Sequence, residues 1–171
     1  ADVVIDATEK LSVSAMLGID TKKTMSPPIN KANPFDGKLH RTAVALGYPG
    51  AGPLRVPVPM GAFIPQTVEN LVIVPRQIDG LRPAKMSAGR AAGTIAAFCA
   101  FFKTTTKNIN VRVTQGELLA FNALLIPYAD IDRNDPNFLA FQRLGLSGLI
   151  KPKLVDDQIR FDTAGTVSHA E

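Results

Sequence analysis

At 171 residues, with 46% hydrophobic and 20% charged side chains, the chain is long enough to bury a core as one domain and too apolar to stay disordered. Its net charge of +4 comes from scattered Lys and Arg, without a basic run, an RNA-recognition aromatic motif or zinc-finger spacing, so nucleic acid is not an expected partner. The single cysteine, Cys99, excludes an internal disulfide or a cysteine zinc cluster, and the longest apolar run, Ala91 to Phe102, falls short of the ~20 residues of a membrane span.

The chain opens on "ADVVIDATE", already inside a β-branched run, and reads as a portion of a longer protein. Val3-Val4-Ile5 has the pattern of a strand buried on both faces, with Asp6-Ala7-Thr8 at its C-terminal mouth. Glu9 to Leu17 predicts a short helix capped by Gly18. Asp20 to Lys38 holds three prolines and reads as a long loop. Leu39 to Leu46 is a strand candidate, Gly47 to Pro53 a turn-rich connector, and Leu54 to Pro65 an extended edge strand broken by prolines. Leu71 to Val74 predicts a second buried strand. Pro83 to Phe102 is the clearest helix, with Pro83 in the first turn, where its missing N–H costs nothing. Asn110 to Val113 is expected as a short strand and Gln115 to Leu125 as a helix. A further helix is expected after Asp135, which can act as N-cap with Pro136 in the first turn. Phe138, Phe141 and Leu144 would share a face of it, and Gly145 or Gly148 would end it. The tail from Leu154 to Phe161 adds a strand. This mixture predicts an α/β or α+β fold.

Within the long helix, Gly89, Gly93 and Ala97 are spaced by four and line one face, where a neighbouring backbone or a planar ring could approach. The simplest expectation is helix-on-sheet packing. At the helix N-terminus, unpaired N–H groups and the dipole favour negative charge, and Arg76, Arg82 and Lys85 add positive potential.

Two blocks, "VVIDATE" (Val3 to Glu9) and "VENLVIVPRQIDG…MSAGRAAGTIAAF" (Val68 to Phe98), together resemble the C-terminal part of the FAD-dependent oxidoreductase family. In that family a buried strand ends in an Ala-Thr turn. Later an Ile-Pro and a Val-Glu-Asn-Leu lead into a strand ending in Gly-Arg, then into a helix with Gly-Gln-Ala-Ala-Gly. Ile64-Pro65, Val68 to Leu71, Arg76 and Gly89 to Gly93 take those places in order.

The resemblance implies a flavoprotein fold of the glutathione-reductase type over residues 1–126, followed by a small helical C-terminal region over 127–171. It implies FAD as cofactor of the full-length parent, with Thr8 and Glu9 beside it, Arg76 and Gln77 near the pyrophosphate or ribityl chain, and Met86 and Ser87 facing the flavin. A carbohydrate substrate is expected from family context alone. The departures are Pro75 where the family has Gly, Arg90 where it has Gln, and Leu81 and Pro83 in a segment expected to be polar. No G-x-G-x-x-G fingerprint is present. The implied partner is a missing N-terminal dinucleotide-binding half, without which the chain is not expected to be active.

Of the remaining candidates, His40 is expected as an exposed loop histidine. Asp130, Asp132 and Asn134 match the start of a calcium loop, but Asp135 and Phe141 replace the Gly and Glu that such a loop requires, so an acidic capping turn accounts for them better. Tyr128 to Pro152 loosely resembles an S-layer-homology segment. That offers a second reading, a wall- or carbohydrate-associated binding module, which exposed aromatics would support and a buried Phe138 and Phe141 would oppose.

Overall fold

The computed structural model describes residues 2–20, 37–47, 55–75, 82–156 and 158–164. It is a mixed fold in which helices carry most of the order and three two-stranded sheets the rest, an α+β arrangement. The expected long loop before α2, the connector after β2 and the segment holding Arg76, Gln77 and Leu81 lie largely or wholly outside the described residues.

β1 (Val4–Asp6) pairs in parallel with β4 (Leu71–Ile73), with Asp6 opposite Ile73. Helix α1 (Ser12–Met16) follows β1, and Gly18 at φ 65° lies just past its C-cap Leu17, as a left-handed glycine does. Helix α2 (Gly37–Arg41) precedes β2 (Ala43–Gly47), so the expected strand from Leu39 begins as helix. β2 pairs antiparallel with β3 (Val56–Pro59), whose prolines place it at an edge. Helix α3 spans Arg82–Phe102, within a residue of the expectation.

After α3 comes α4 (Val111–Ala120), which begins where a strand was expected. The β-branched Val-Arg-Val had suggested that strand. Asn110 overrides it, because its side chain accepts a hydrogen bond from Arg112 N at 2.8 Å and caps the helix. Thr114, Gln115, Leu118 and Leu119 then bury one helical face. Helix α5 (Phe138–Ser147) starts later than expected, with Asn137 as N-cap. Asp135 instead accepts a bond from Asn137 N in the preceding turn, and Gly148 at φ 75° ends the helix. The tail forms the hairpin β5 (Lys153–Val155) and β6 (Gln158–Arg160).

The main core runs through β2, α3 and α4 and continues past Ile126 to Tyr128, Leu146 and Ile159, so one apolar cluster spans both expected regions. α3 packs on it through Ala84, Ala88, Ala91, Ala92, Ile95 and Cys99. The close approach is therefore made by alanines. Gly89 and Ala97 are exposed and Gly93 is half-buried, and a Cβ built at either glycine meets nothing within 4 Å. The glycine stripe sits one residue round the helix, about 100° from the packed face. The expected glycine-on-sheet packing is replaced by alanine-on-sheet packing.

β1 also departs from expectation. Leu71, Val72 and Ile73 of β4 are buried, whereas Val4 is 51% and Ile5 41% exposed. Successive strand residues point to opposite faces, so each face of β1 is partly exposed, at Val4 and at Ile5. The strand is present, but the expectation that it is buried on both faces is overturned by the exposure of Val4 and Ile5.

Candidate functional site

Two places on this fold hold the expected site residues. The first is the C-terminal end of the parallel pair. Because β1 and β4 run in the same direction, their mouths adjoin, and Val74 N donates to Asp6 O at 3.0 Å. Asp6 is fully buried and organises the turn. Its Oδ1 accepts from Thr8 N (3.2 Å) and Thr8 Oγ1 (2.7 Å), and its Oδ2 accepts from Ser14 N (2.8 Å) and Ser14 Oγ (2.6 Å). Burial pushes this carboxyl toward its neutral form, but the Ser14 and Thr8 donors outweigh it and hold the pKa below the ordinary aspartate value. Thr8 Oγ1 also accepts from Ser12 N at 2.7 Å, which fastens the start of α1. The polar groups of Thr8 are thus committed to the turn itself, while Glu9 is exposed. Arg76 and Gln77 come after β4 in sequence and lie outside the described residues.

The second place is a pocket of about 230 Å³ over the N-terminal half of α3. Pro83, Met86, Ser87 and Arg90 line it at the i, i+3, i+4, i+7 spacing of one helix face. Val44 and Leu46 of β2 and Leu118 of α4 give it an apolar floor. Asn122, just past α4, Arg55, just before β3, and Arg133, between α4 and α5, complete the wall. Ser87 Oγ accepts from Leu46 N at 3.0 Å, which ties α3 to the end of β2. Arg90 donates from one guanidinium nitrogen to Phe121 O at 3.3 Å, at the C-terminal end of α4, where the dipole favours a cation. Among the described residues, three cations and no acidic side chain line this pocket.

Met86 and Ser87 thus open toward β2 and α4. Thr8 and Glu9 are not among the described residues that line this pocket. Sequence reasoning placed Arg76, Arg82 and Lys85 near the helix start. The pocket cations are instead Arg55, Arg90 and Arg133, of which only Arg90 had a signal, its helical spacing from Pro83, Met86 and Ser87.

The other candidates resolve into structure. His40 is buried in α2, not exposed in a loop. Burial pushes the Cys99 thiol up, so it stays protonated as packing. Asp132 Oδ1 accepts from Asn134 N, and Asp130 accepts from Phe161 N through both oxygens (3.0 and 3.2 Å), joining the acidic turn to the end of the hairpin. A functionally silent sequence feature also proves central. Gln142 is fully buried, accepts from Leu125 N and Ile126 N and donates to Ile126 O, and so supplies strand-like partners to an isolated backbone segment. No described helix is long and apolar enough to cross a membrane. Comparison with protein-family models, with curated proteins and with solved structures returned no match.

Proposed function

We propose that this chain is the C-terminal portion of an FAD-dependent oxidoreductase, inactive alone and completed by a dinucleotide-binding half that carries the glycine fingerprint. The observation that supports this reading most is β1. Parallel strands occur in sheets covered on both faces, yet among the described residues this parallel sheet has two strands, and β1 exposes Val4 and Ile5 on opposite faces. Further strands alongside β1 and a layer across it would restore the usual environment.

In open α/β sheets, ligands bind at the carboxyl ends of the strands. Here those ends are the Asp6–Thr8 turn and the residues after Val74, where the family resemblance puts the cofactor. In this reading the chain would supply one side of an FAD site. The backbone of Thr8 and the carboxylate of Glu9 would lie along it, held in place by the buried Asp6, whereas the groups that seat the pyrophosphate belong to the other half. Bound flavin supplies the capacity to accept a hydride, and this chain's own contribution is to shape and dry one wall of the site. A carbohydrate-derived substrate is carried from family context.

The test is to produce the chain together with its dinucleotide-binding half and record the visible absorbance of the purified protein. Bound flavin is expected. A folded assembly that stays colourless after incubation with FAD ends this reading. The alternative, a glycan-binding module, needs exposed aromatics on α5. Phe138 is buried, and Phe141 packs edge-on against Phe161 at 4.9 Å beside the core, which counts against it.

A further inference from the structure

We infer that the pocket between α3, β2 and the α4–α5 connection binds a small organic oxyanion, a carboxylate or phosphate monoester on a compact apolar body. The charge comes first. Arg55, Arg90 and Arg133 reach this pocket from three separate parts of the chain, and among the described residues no Asp or Glu lines it beside Arg90 and Arg133. Guanidinium groups present forked N–H donors matched to carboxylate and phosphate oxygens. Like charges gathered round a concave surface repel one another, and an anion between them relieves that repulsion.

The donors are also arranged. Arg90 is tethered by one nitrogen to Phe121 O, which fixes the group and leaves its other N–H donors for a ligand. Ser87 Oγ accepts the Leu46 N–H, so its own hydrogen is free to donate. Asn122 adds an amide at the wall. Arg55 has a partner within the protein as well as lining the pocket. Arg133 is exposed at the mouth and forms no ion pair among the described residues.

The ligand's body follows from the floor. Val44, Leu46 and Leu118 present aliphatic surface beneath the cations, with Met86 at the rim. At the ~30 Å³ that a water occupies in the liquid, 230 Å³ holds roughly eight waters, room for a ring or short chain bearing one anionic group. A bare inorganic ion would leave the floor unused.

The experiment is isothermal titration of the full 171-residue chain with benzoate and with phenyl phosphate, in buffer matched for ionic strength with chloride. It uses no flavin, so its result stands apart from the flavoprotein reading. Saturable binding at one site is expected, tighter for phenyl phosphate than for inorganic phosphate, and undetectable for the neutral analogue benzyl alcohol. Arg133→Gln, at the exposed mouth, should weaken binding about tenfold. Arg90→Gln should do at least as much, with circular dichroism checking that the fold survives loss of the Phe121 tether. Arg143→Gln, on the exposed side of α5 and away from the pocket, should bind like the wild type. Absence of binding above the chloride control, equal binding of benzyl alcohol, equal binding of inorganic phosphate, or an unchanged affinity in Arg133→Gln would each overturn the inference.

Discussion

The buried carboxylate of Asp6 gives the sharpest test of how the β1 mouth is held. Replacing Asp6 with Asn keeps the size and removes the charge. One amide oxygen can still accept from Thr8, but the amide nitrogen then faces Ser14 N, donor against donor. The change loses hydrogen bonds to a charged acceptor, worth ~1.5–3 kcal/mol each, and leaves a buried N–H unpaired at a further ~1–3 kcal/mol. Allowing for rearrangement of the Ser14 hydroxyl, Asp6→Asn should cost about 2–4 kcal/mol. For a chain of this length that is a fall in Tm of roughly 4–16 °C. The pH dependence carries the sign. Because the folded pKa lies below the unfolded value of 3.8, the charge stabilises the fold above that value, and this is lost as pH falls through the folded pKa. Urea unfolding of both proteins, followed by circular dichroism from pH 7 down to about pH 3, should therefore show a gap that narrows toward the acid end. A gap below about 0.5 kcal/mol at neutral pH, or one that does not narrow in acid, would refute the assignment of Asp6 as the charged organiser of this turn.

The geometry sets further expected outcomes. Gln142→Leu should destabilise the chain by about 2–4 kcal/mol in urea unfolding, since it strands the N–H groups of Leu125 and Ile126 in the core. A Cβ at Gly145 would collide with the Tyr128 hydroxyl and Ile126 Cδ1, so Gly145→Ala should cost about 1–3 kcal/mol. Tyr128→Phe, which removes a buried hydroxyl without a hydrogen-bond partner among the described residues, should recover part of that loss in the double variant. Asn110→Ala should lower stability by about 1 kcal/mol, measured in the same way, if the α4 cap works as its 2.8 Å bond indicates. Gly89→Ala and Gly93→Ala should each raise stability by roughly 0.5–1 kcal/mol, because the added methyl meets nothing within 4 Å and a helical glycine is replaced.

What the sequence made legible was local. Pro83 in the first turn and the long run of Ala, Ile and Phe marked α3 almost to the residue, and the apolar Leu71–Val74 run marked a strand that is indeed buried. Long-range effects were not legible. Val111-Arg112-Val113 has strand character, but the side chain of Asn110 and the packing of Leu118 and Leu119 decide for helix. The β-branched run at β1 reads as a strand buried on both faces, yet Val4 and Ile5 are exposed. The glycine stripe was read correctly as a face of α3, but which face packs is set by a rotation of one residue, and Ala88 and Ala92 take the place expected for Gly89 and Gly93. At the pocket, Met86 and Ser87 were singled out on resemblance, whereas Arg55 and Arg133 are far apart in sequence and only folding sets them beside Arg90.

That one-residue rotation bears on the proposed function. A helix that needs a close approach gains it here with alanine, which has the best helix propensity, on the side facing β2. Glycine one residue round the helix costs roughly 1 kcal/mol per residue relative to alanine, and nothing within the described residues draws near enough to require it. A solvated surface has no use for that cost, since Ala or Lys would serve better. The same chain leaves Val4 and Ile5 of β1 open on both faces, although apolar burial there would contribute on the order of 1.5–3 kcal/mol per side chain. Each feature alone is a small inefficiency. Together, on a helix that packs against β1 and β4, they are two surfaces that the proposed dinucleotide-binding half would cover.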